Sequence, residues 1–245
     1  MSYKNIETIK YSRILLKLSG EALMQSGEKS CIDPDFIDQI CQEIKDIYEN
    51  GCQIAVVVGG GNICRGATMS KIGIDRANAD YMGMLATIIN AIAIQGKLEN
   101  YGVATRVQSA ISMPPVAEPY IRRRAIRHME KGRVVIFSGG TGNPFFTTDS
   151  AAILRAIETN CDIVLKGTQV DGVYSADPKI YSNALHYNNI SYEKIIQNGL
   201  HFMDTAAVAL AQENEMPIIV FNVHKQGSLK NALMHQGNMT FIGNL

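Results

Sequence analysis

Apolar residues run almost unbroken through RILLKL (13–18), QIAVVV (53–58), RVVIFS (133–138) and DIVLK (162–166). Short continuous runs of this kind predict strands buried on both faces. Between them the period changes. Phe36, Ile37, Ile40, Cys41, Ile44, Ile47 and Tyr48 recur at helical spacing, with Asp33 as N-cap, Pro34 at the first helical position and Gly51 beyond the end. The pattern predicts further helices over about 78–100, 119–131, 149–159, 191–198, 204–214 and 228–234, and further strands over 104–107, 218–222 and 240–242. Strands alternate with helices throughout, which predicts an α/β fold: a three-layer αβα sandwich with a largely parallel central sheet. No repeat or linker interrupts the pattern, so residues 1–245 read as a single domain.

Four of the predicted strands end in unusual chemistry: SGE, GGGNICRG, GGTGNPFFTTD and GTQVDGV. In an open parallel sheet, ligands sit beyond the carboxyl ends of the strands. Glycines there let backbone N–H groups approach a ligand, and the helix starts that follow favour anions. The shared implication is phosphate. Neither standard phosphate motif is complete, since Ala67 stands where a P-loop needs lysine and Phe145 where a dinucleotide fingerprint needs its third glycine. A tight strand-to-helix turn explains any one of these loops, but not all four together.

Two lysines sharpen the picture. Lys17 interrupts an apolar strand and Lys166 ends another. For either alone, a side chain snorkelling from a strand end is the ordinary reading. Two at one edge, both beside glycine loops, fit neutralisation of a transferring phosphoryl group. Arg65 offers a guanidinium fork to the same anion. Asp80 and Asp149 each have an ordinary reading as acids near a helix N-terminus, and Asp204 as a plain N-cap. Arg122, Arg123, Arg124 and Arg127, with His128 and Lys131, read as a solvated helix face, because no aromatics interleave them as a nucleic-acid surface would need.

Composition narrows the class. Lys+Arg and Asp+Glu both number 23, so no bulk field draws the chain to nucleic acid or an anionic membrane. The five cysteines contain no CxxC pair, which predicts reduced thiols in a cytosol rather than a disulfide framework or zinc site. The N-terminal MSYKNIETIKYSR has no apolar run, and 83–96 is too short and interrupted to span a bilayer; it reads as a core helix.

KLSGE (17–21), GGGNICRG (59–66), DYMGMLAT (80–87), GTGNPFFTTDSAA (140–152) and DGVYSADP (171–178) occur in this order over essentially the whole chain. In these the chain resembles the bacterial uridylate (UMP) kinases of the amino acid kinase superfamily. The first two motifs are shared across the superfamily; GTGNPFFTTDSA is much more specific to UMP kinases. The resemblance implies transfer of the ATP γ-phosphoryl group to UMP, with Mg²⁺ held mainly by the ATP phosphates and no metal ligand assigned in the chain. It places Lys17, Leu18, Ser19, Gly20, Gly61 and Arg65 at the ATP phosphates, and Thr168, Tyr174 and Asp177 at the nucleoside end of ATP. It places Gly60, Asp80, Thr141, Gly142, Asn143, Pro144, Phe145, Phe146, Thr147 and Thr148 at UMP, with Asp80 on the ribose hydroxyls. Lys17 and Lys166 would flank the transferred group, and Asp149 and Asp204 would orient lysines or metal. A cytoplasmic homohexamer, with 78–100 as an interface element, and inhibition by UTP are also implied. One departure stands out: MQSGEKSCID (24–33) lacks the GFG that accompanies GTP activation in many members, which puts that activation in doubt.

Three rivals remain at this level. A carboxylate-phosphorylating kinase of the same superfamily would share KLSGE and the triple glycine but not the 139–152 loop. A non-catalytic nucleotide-binding regulator would need neither lysine. A nucleic-acid module rests on the arginine run alone.

Overall fold

The computed structural model describes residues 10–24 and 30–243. In chain order, β1 (Arg13–Leu18) leads through a 3₁₀ turn (Gly20–Leu23) to α1 (Pro34–Glu49) and β2 (Gln53–Val58). Then come α2 (Gly66–Lys71), α3 (Arg76–Asn100), β3 (Thr105–Ser109), β4 (Glu118–Pro119), α4 (Arg122–Glu130) and β5 (Val134–Ser138). α5 (Thr148–Glu158) and β6 (Ile163–Thr168) precede a small hairpin of β7 (Val173–Tyr174) and β8 (His186–Tyr187). β9 (Asn189–Ile190), α6 (Tyr192–Gln197), α7 (Thr205–Glu213), β10 (Ile218–Asn222), α8 (Ser228–Leu233) and β11 (Met239–Ile242) complete the order.

Nine strands form one sheet in the order β4-β3-β5-β2-β1-β6-β10-β11-β9, parallel at every pairing except β10 with β11. Alternate residues feed two cores. Ile14, Leu16 and Leu18 pack with α1, α3 and α8, while Leu15, Ala55 and Val164 pack with α4, α5, α6 and α7. That is the three-layer sandwich expected from continuous apolar strands, each buried on both faces. β1 lies at the middle, with β2 on one side and β6 on the other, so the connections diverge about it. This is the switch point at which open α/β sheets hold ligands.

Boundaries moved where local chemistry overrode periodicity. α3 starts at Arg76 rather than 78, because the Asp75 carboxylate caps it by accepting from Ala77 and Asn78 N–H. Asp80 is therefore one turn inside the helix, not at its N-terminus. α4 starts at Arg122 rather than 119, because Glu118 and Pro119 pair with Gln108 and Ser109 as a short edge strand, where proline is tolerated. The 3₁₀ turn, α2, β4, the β7–β8 hairpin and β9 are too short to show a period, and the sequence pattern does not reveal them. Residues 25–29 of the segment lacking GFG lie outside the described residues.

α3 is long and apolar enough, by length and composition, to cross a membrane, yet one face is packed in the core. It is a core helix on that face only. Tyr81, Met82, Leu85, Ile89 and Ile92 are exposed on it.

Candidate active site

β1 and β6 place Lys17 directly opposite Lys166 at the carboxyl edge of the sheet. Both lysines are buried, at 5% and 7% exposure, so neither snorkels to solvent. Charges in such a place need a partner, and α5 supplies it. Thr147 caps α5 by accepting from the Asp149 N–H at 3.0 Å, which holds Asp149 in the first turn. Lys166 Nζ donates to Asp149 Oδ2 at 2.7 Å, and Lys17 Nζ lies 2.7 Å from Oδ1 as an ion pair. Lys166 also donates to the carbonyl of Phe202.

Two ammonium groups thus share one directly contacting carboxylate in a buried pocket, which leaves local positive charge in excess, with Asp204 the next acid at a distance. Burial opposes the charge on Asp149, but Lys17 and Lys166 outweigh it and hold the carboxyl below its usual range. Burial and then the neighbouring Lys17 pull Lys166 down to about 8, against the attraction of Asp149. An anionic ligand would relieve the imbalance.

Asp204 contributes differently from the sequence-based expectation. It does cap α7, accepting from Ala207 N–H at 2.9 Å. It also accepts from the hydroxyls of Thr147 and Ser150, which ties the starts of α5 and α7 together. It touches neither lysine and acts on Lys166 only as a charge at a distance.

The glycine loops after β1 and β2 lie backbone to backbone. A Cβ on Gly20 would sit 2.4 Å from Gly61 N, so only glycine allows this approach. Leu18 is buried in the core, which leaves only its backbone to this edge, and its carbonyl already accepts from Gly59 N–H at 2.8 Å. Ser19 caps the 3₁₀ turn through Ala22 N–H. Arg65 pairs with Glu21 at 2.6 Å, and both are exposed. Burial raises the thiol pKa of the adjacent Cys64, which makes it a weak nucleophile at neutral pH. Thr168, Tyr174 and Asp177 line one cleft of about 500 Å³. His201 and Phe202 line the same cleft, so the Phe202 carbonyl links it to Lys166.

On the other side, Asp80 accepts from the backbone N–H of Phe145 at 2.8 Å and from Arg76 Nε at 2.8 Å. Phe145 has φ 71°, a left-handed conformation costly for a bulky residue. The Asp80 carboxylate holds it there, so this acid is more than a helix-dipole partner. Phe145 and Phe146 are 67% and 55% exposed, which excludes ordinary core packing for either. Gly142 has positive φ, and Thr141 turns back on Asn143, accepting its N–H at 3.2 Å. Thr141 therefore spends its hydroxyl within the loop, and Thr147 spends its own on Asp149 N–H and Asp204. Pro144 follows Asn143, and Thr148 opens α5. Gly60 rests against α3, where Gly83 and Thr87 leave no room for a Cβ.

Arg76, Ser150, His201 and Phe202 belong to this constellation but are not legible in sequence. Phe202 acts through a backbone carbonyl, and Arg76 only through a contact whose meaning depends on where Phe145 lies. Arg122, Arg123, Arg124 and Arg127 are exposed on α4, as expected of a solvated face, but His128 departs from it, largely covered and bonded to Glu118 and Arg133.

Residues 12–222 match the amino acid kinase family. A uridylate kinase of Rickettsia bellii is 57% identical over 96% of this chain and 98% of its own. The chain belongs to the uridylate kinases of the amino acid kinase family. A uridylate kinase of Paramagnetospirillum magneticum is 54% identical over 96% of this chain and 98% of its own. The crystal structure of UMP kinase from Ureaplasma parvum superposes with a TM-score of 0.91 at 39% identity, covering 95% of this chain and 99% of that one. As a uridylate kinase, the chain shares its overall fold with the Ureaplasma parvum enzyme.

Proposed function

We propose that this chain, read as one domain, transfers the γ-phosphoryl group of ATP to UMP, giving ADP and UDP, by positioning and charge neutralisation without a general base. The observation that carries this is the buried Lys17–Asp149–Lys166 group, with its unbalanced positive charge at the sheet's switch point. A phosphate monoester has its second pKa near ~6, so the UMP phosphate enters largely as a dianion and needs no base. One of its oxygens attacks the γ-phosphorus, the bond to the β,γ-bridging oxygen breaks, and ADP leaves with that electron pair. Lys17 and Lys166 neutralise charge that spreads over the transferred group. Asp149 keeps the two ammonium groups apart and aimed.

ATP belongs on the side of Lys17 to Gly20, Gly61 and Arg65, with its nucleoside in the cleft of Thr168, Tyr174 and Asp177. UMP belongs with Gly60, Asp80 and the 141–148 loop, with Phe145 and Phe146 as walls. Among the described residues, no group of three or more His, Cys, Asp or Glu gathers to hold a metal. Mg²⁺ is read as arriving with the ATP phosphates, and no residue of the chain is assigned to it. The exposed stripe Tyr81, Met82, Leu85, Ile89 and Ile92 follows helical spacing and supports assembly through α3; six copies and the cytoplasm are carried over from the resemblance alone. UTP, which shares the uridine moiety, competes at the UMP side in this reading.

A coupled assay of ADP release with MgATP against UMP, CMP, dUMP and acetylglutamate tests the reading. Turnover confined largely to UMP is expected. Turnover of acetylglutamate would overturn the acceptor assignment, and silence on all four would favour a nucleotide-binding regulator.

A further inference from the structure

The donor and acceptor loops leave different strands, β2 and β5, which are neighbours in the sheet. Nothing in strand pairing fixes how far apart their tips stand. One turn of α3 touches both. Thr87, 2% exposed, accepts from the Gly139 N–H at 2.7 Å, where the acceptor loop begins, and donates to its own helix at Met84 O. Asn90, fully buried, donates to Gly59 O at 2.7 Å and to Asn62 Oδ1 at 2.8 Å, and accepts from Asn62 Nδ2 at 3.1 Å. These last partners lie in the donor glycine loop. Between them Gly60 presses on the helix backbone, since a Cβ there would sit 2.6 Å from Gly83 O and 3.0 Å from Thr87 N.

Residues i and i+3 share one helix face and rise about 4.5 Å along it. A helix of 25 residues packed on the sheet cannot vary that spacing easily. Of the two loops, the Thr87 side chain bonds only the one after β5 and the Asn90 side chain only the one after β2, so the helix turn that carries both is what couples them. In-line transfer needs the two reacting groups at one separation, and a shift of about 1 Å can cost on the order of 10²-fold in rate.

We propose that Thr87 and Asn90 are positioning residues: together they set the separation of the ATP-phosphate loop from the UMP loop. This rests on the reading of Gly61 and Arg65 as ATP-phosphate residues and of 141–148 as the UMP loop, with Gly60 of the β2 loop turned to the UMP side. The pair touches no reacting atom and acts through the backbone of each loop.

The test compares the wild-type chain with Thr87→Val, Thr87→Ser and Asn90→Ala. Each is titrated by calorimetry with ATP, with UMP, and with adenosine and uridine joined 5′ to 5′ through five phosphates, which must span both loops. In Thr87→Val, affinity for the spanning ligand should fall tenfold or more while ATP and UMP each change less than twofold. Its kcat should fall tenfold or more with both KM values held. Thr87→Ser keeps the hydroxyl and should stay within threefold of wild type in every readout. Asn90→Ala should repeat the Val pattern from the donor side and stands in if Thr87→Val does not fold. Equal loss for UMP and the spanning ligand, no loss for either, or a serine variant as impaired as valine would overturn the proposal. So would failure of both Thr87→Val and Asn90→Ala to fold, which would assign the pair to stability alone. A wild-type chain that binds neither ATP nor UMP would overturn the site assignment beneath the proposal, and the proposal with it.

Discussion

At Lys166, burial and the Lys17 ammonium pull the pKa down to about 8, well below an ordinary lysine. The charge needed for catalysis is therefore lost in the free protein as pH rises through about 8. The rate of kcat/KM should fall over that range, read from a pH profile at low UMP. Bound phosphates favour the charged form, so the fall in kcat should come at higher pH. Coincident limbs would count against Lys166 as the titrating group. Lys166→Met should lower kcat by about 10²–10³-fold, the scale of one lost charge-stabilising donor, with the KM for UMP changed less than about threefold. Unchanged turnover would remove its role. At the residue scale the sequence marked Lys17 and Lys166 but not what covers them; α5 covers them with Asp149. Asp204 caps α7, meets two hydroxyls and reaches Lys166 only as a charge at a distance.

Among the elements, α3 joins the site to the core. It sends Asp80 to the acceptor loop, packs one face in the core and leaves an apolar stripe outside. Asp80→Asn replaces a charged acceptor at the strained Phe145 N–H. It should raise the KM for UMP by about tenfold or more, the worth of a hydrogen bond to a charged group, and leave that for ATP nearly unchanged. A selective loss of ATP affinity would mean that the two sites are reversed. On the opposite face, Ile89→Glu tests the proposed assembly through α3: by sedimentation velocity the variant should run as a smaller species than the wild-type chain; an unchanged assembly would move the interface elsewhere. The strands were legible from their apolar runs to within a residue or two at most ends. Helix starts were less so, since Asp75 and the Glu118–Pro119 bridge act locally and outweigh periodicity. The short elements carried no period at all.

Over the whole molecule, the nine-stranded sheet brings four loops to one edge from positions as far apart as residues 19 and 168. Regulation also belongs to this scale. The segment 24–33 lacks GFG, so GTP at saturating UMP should raise the rate less than twofold; strong stimulation would contradict that reading. The sequence by itself determined the α/β class, the parallel core, the glycine loops at the strand ends and the identity of the two lysines. Those follow from hydrophobic period, from glycine's missing side chain and from the cost of a charge inside an apolar strand. Only the tertiary structure decided that Asp149 lies between Lys17 and Lys166, that Asp80 holds Phe145 in a strained turn, and that Thr87 and Asn90 bind two loops to one helix. Each of these is a contact between segments far apart in the chain. Their geometry follows from strand order and from which helix face meets the sheet, neither of which is encoded in any local stretch of residues.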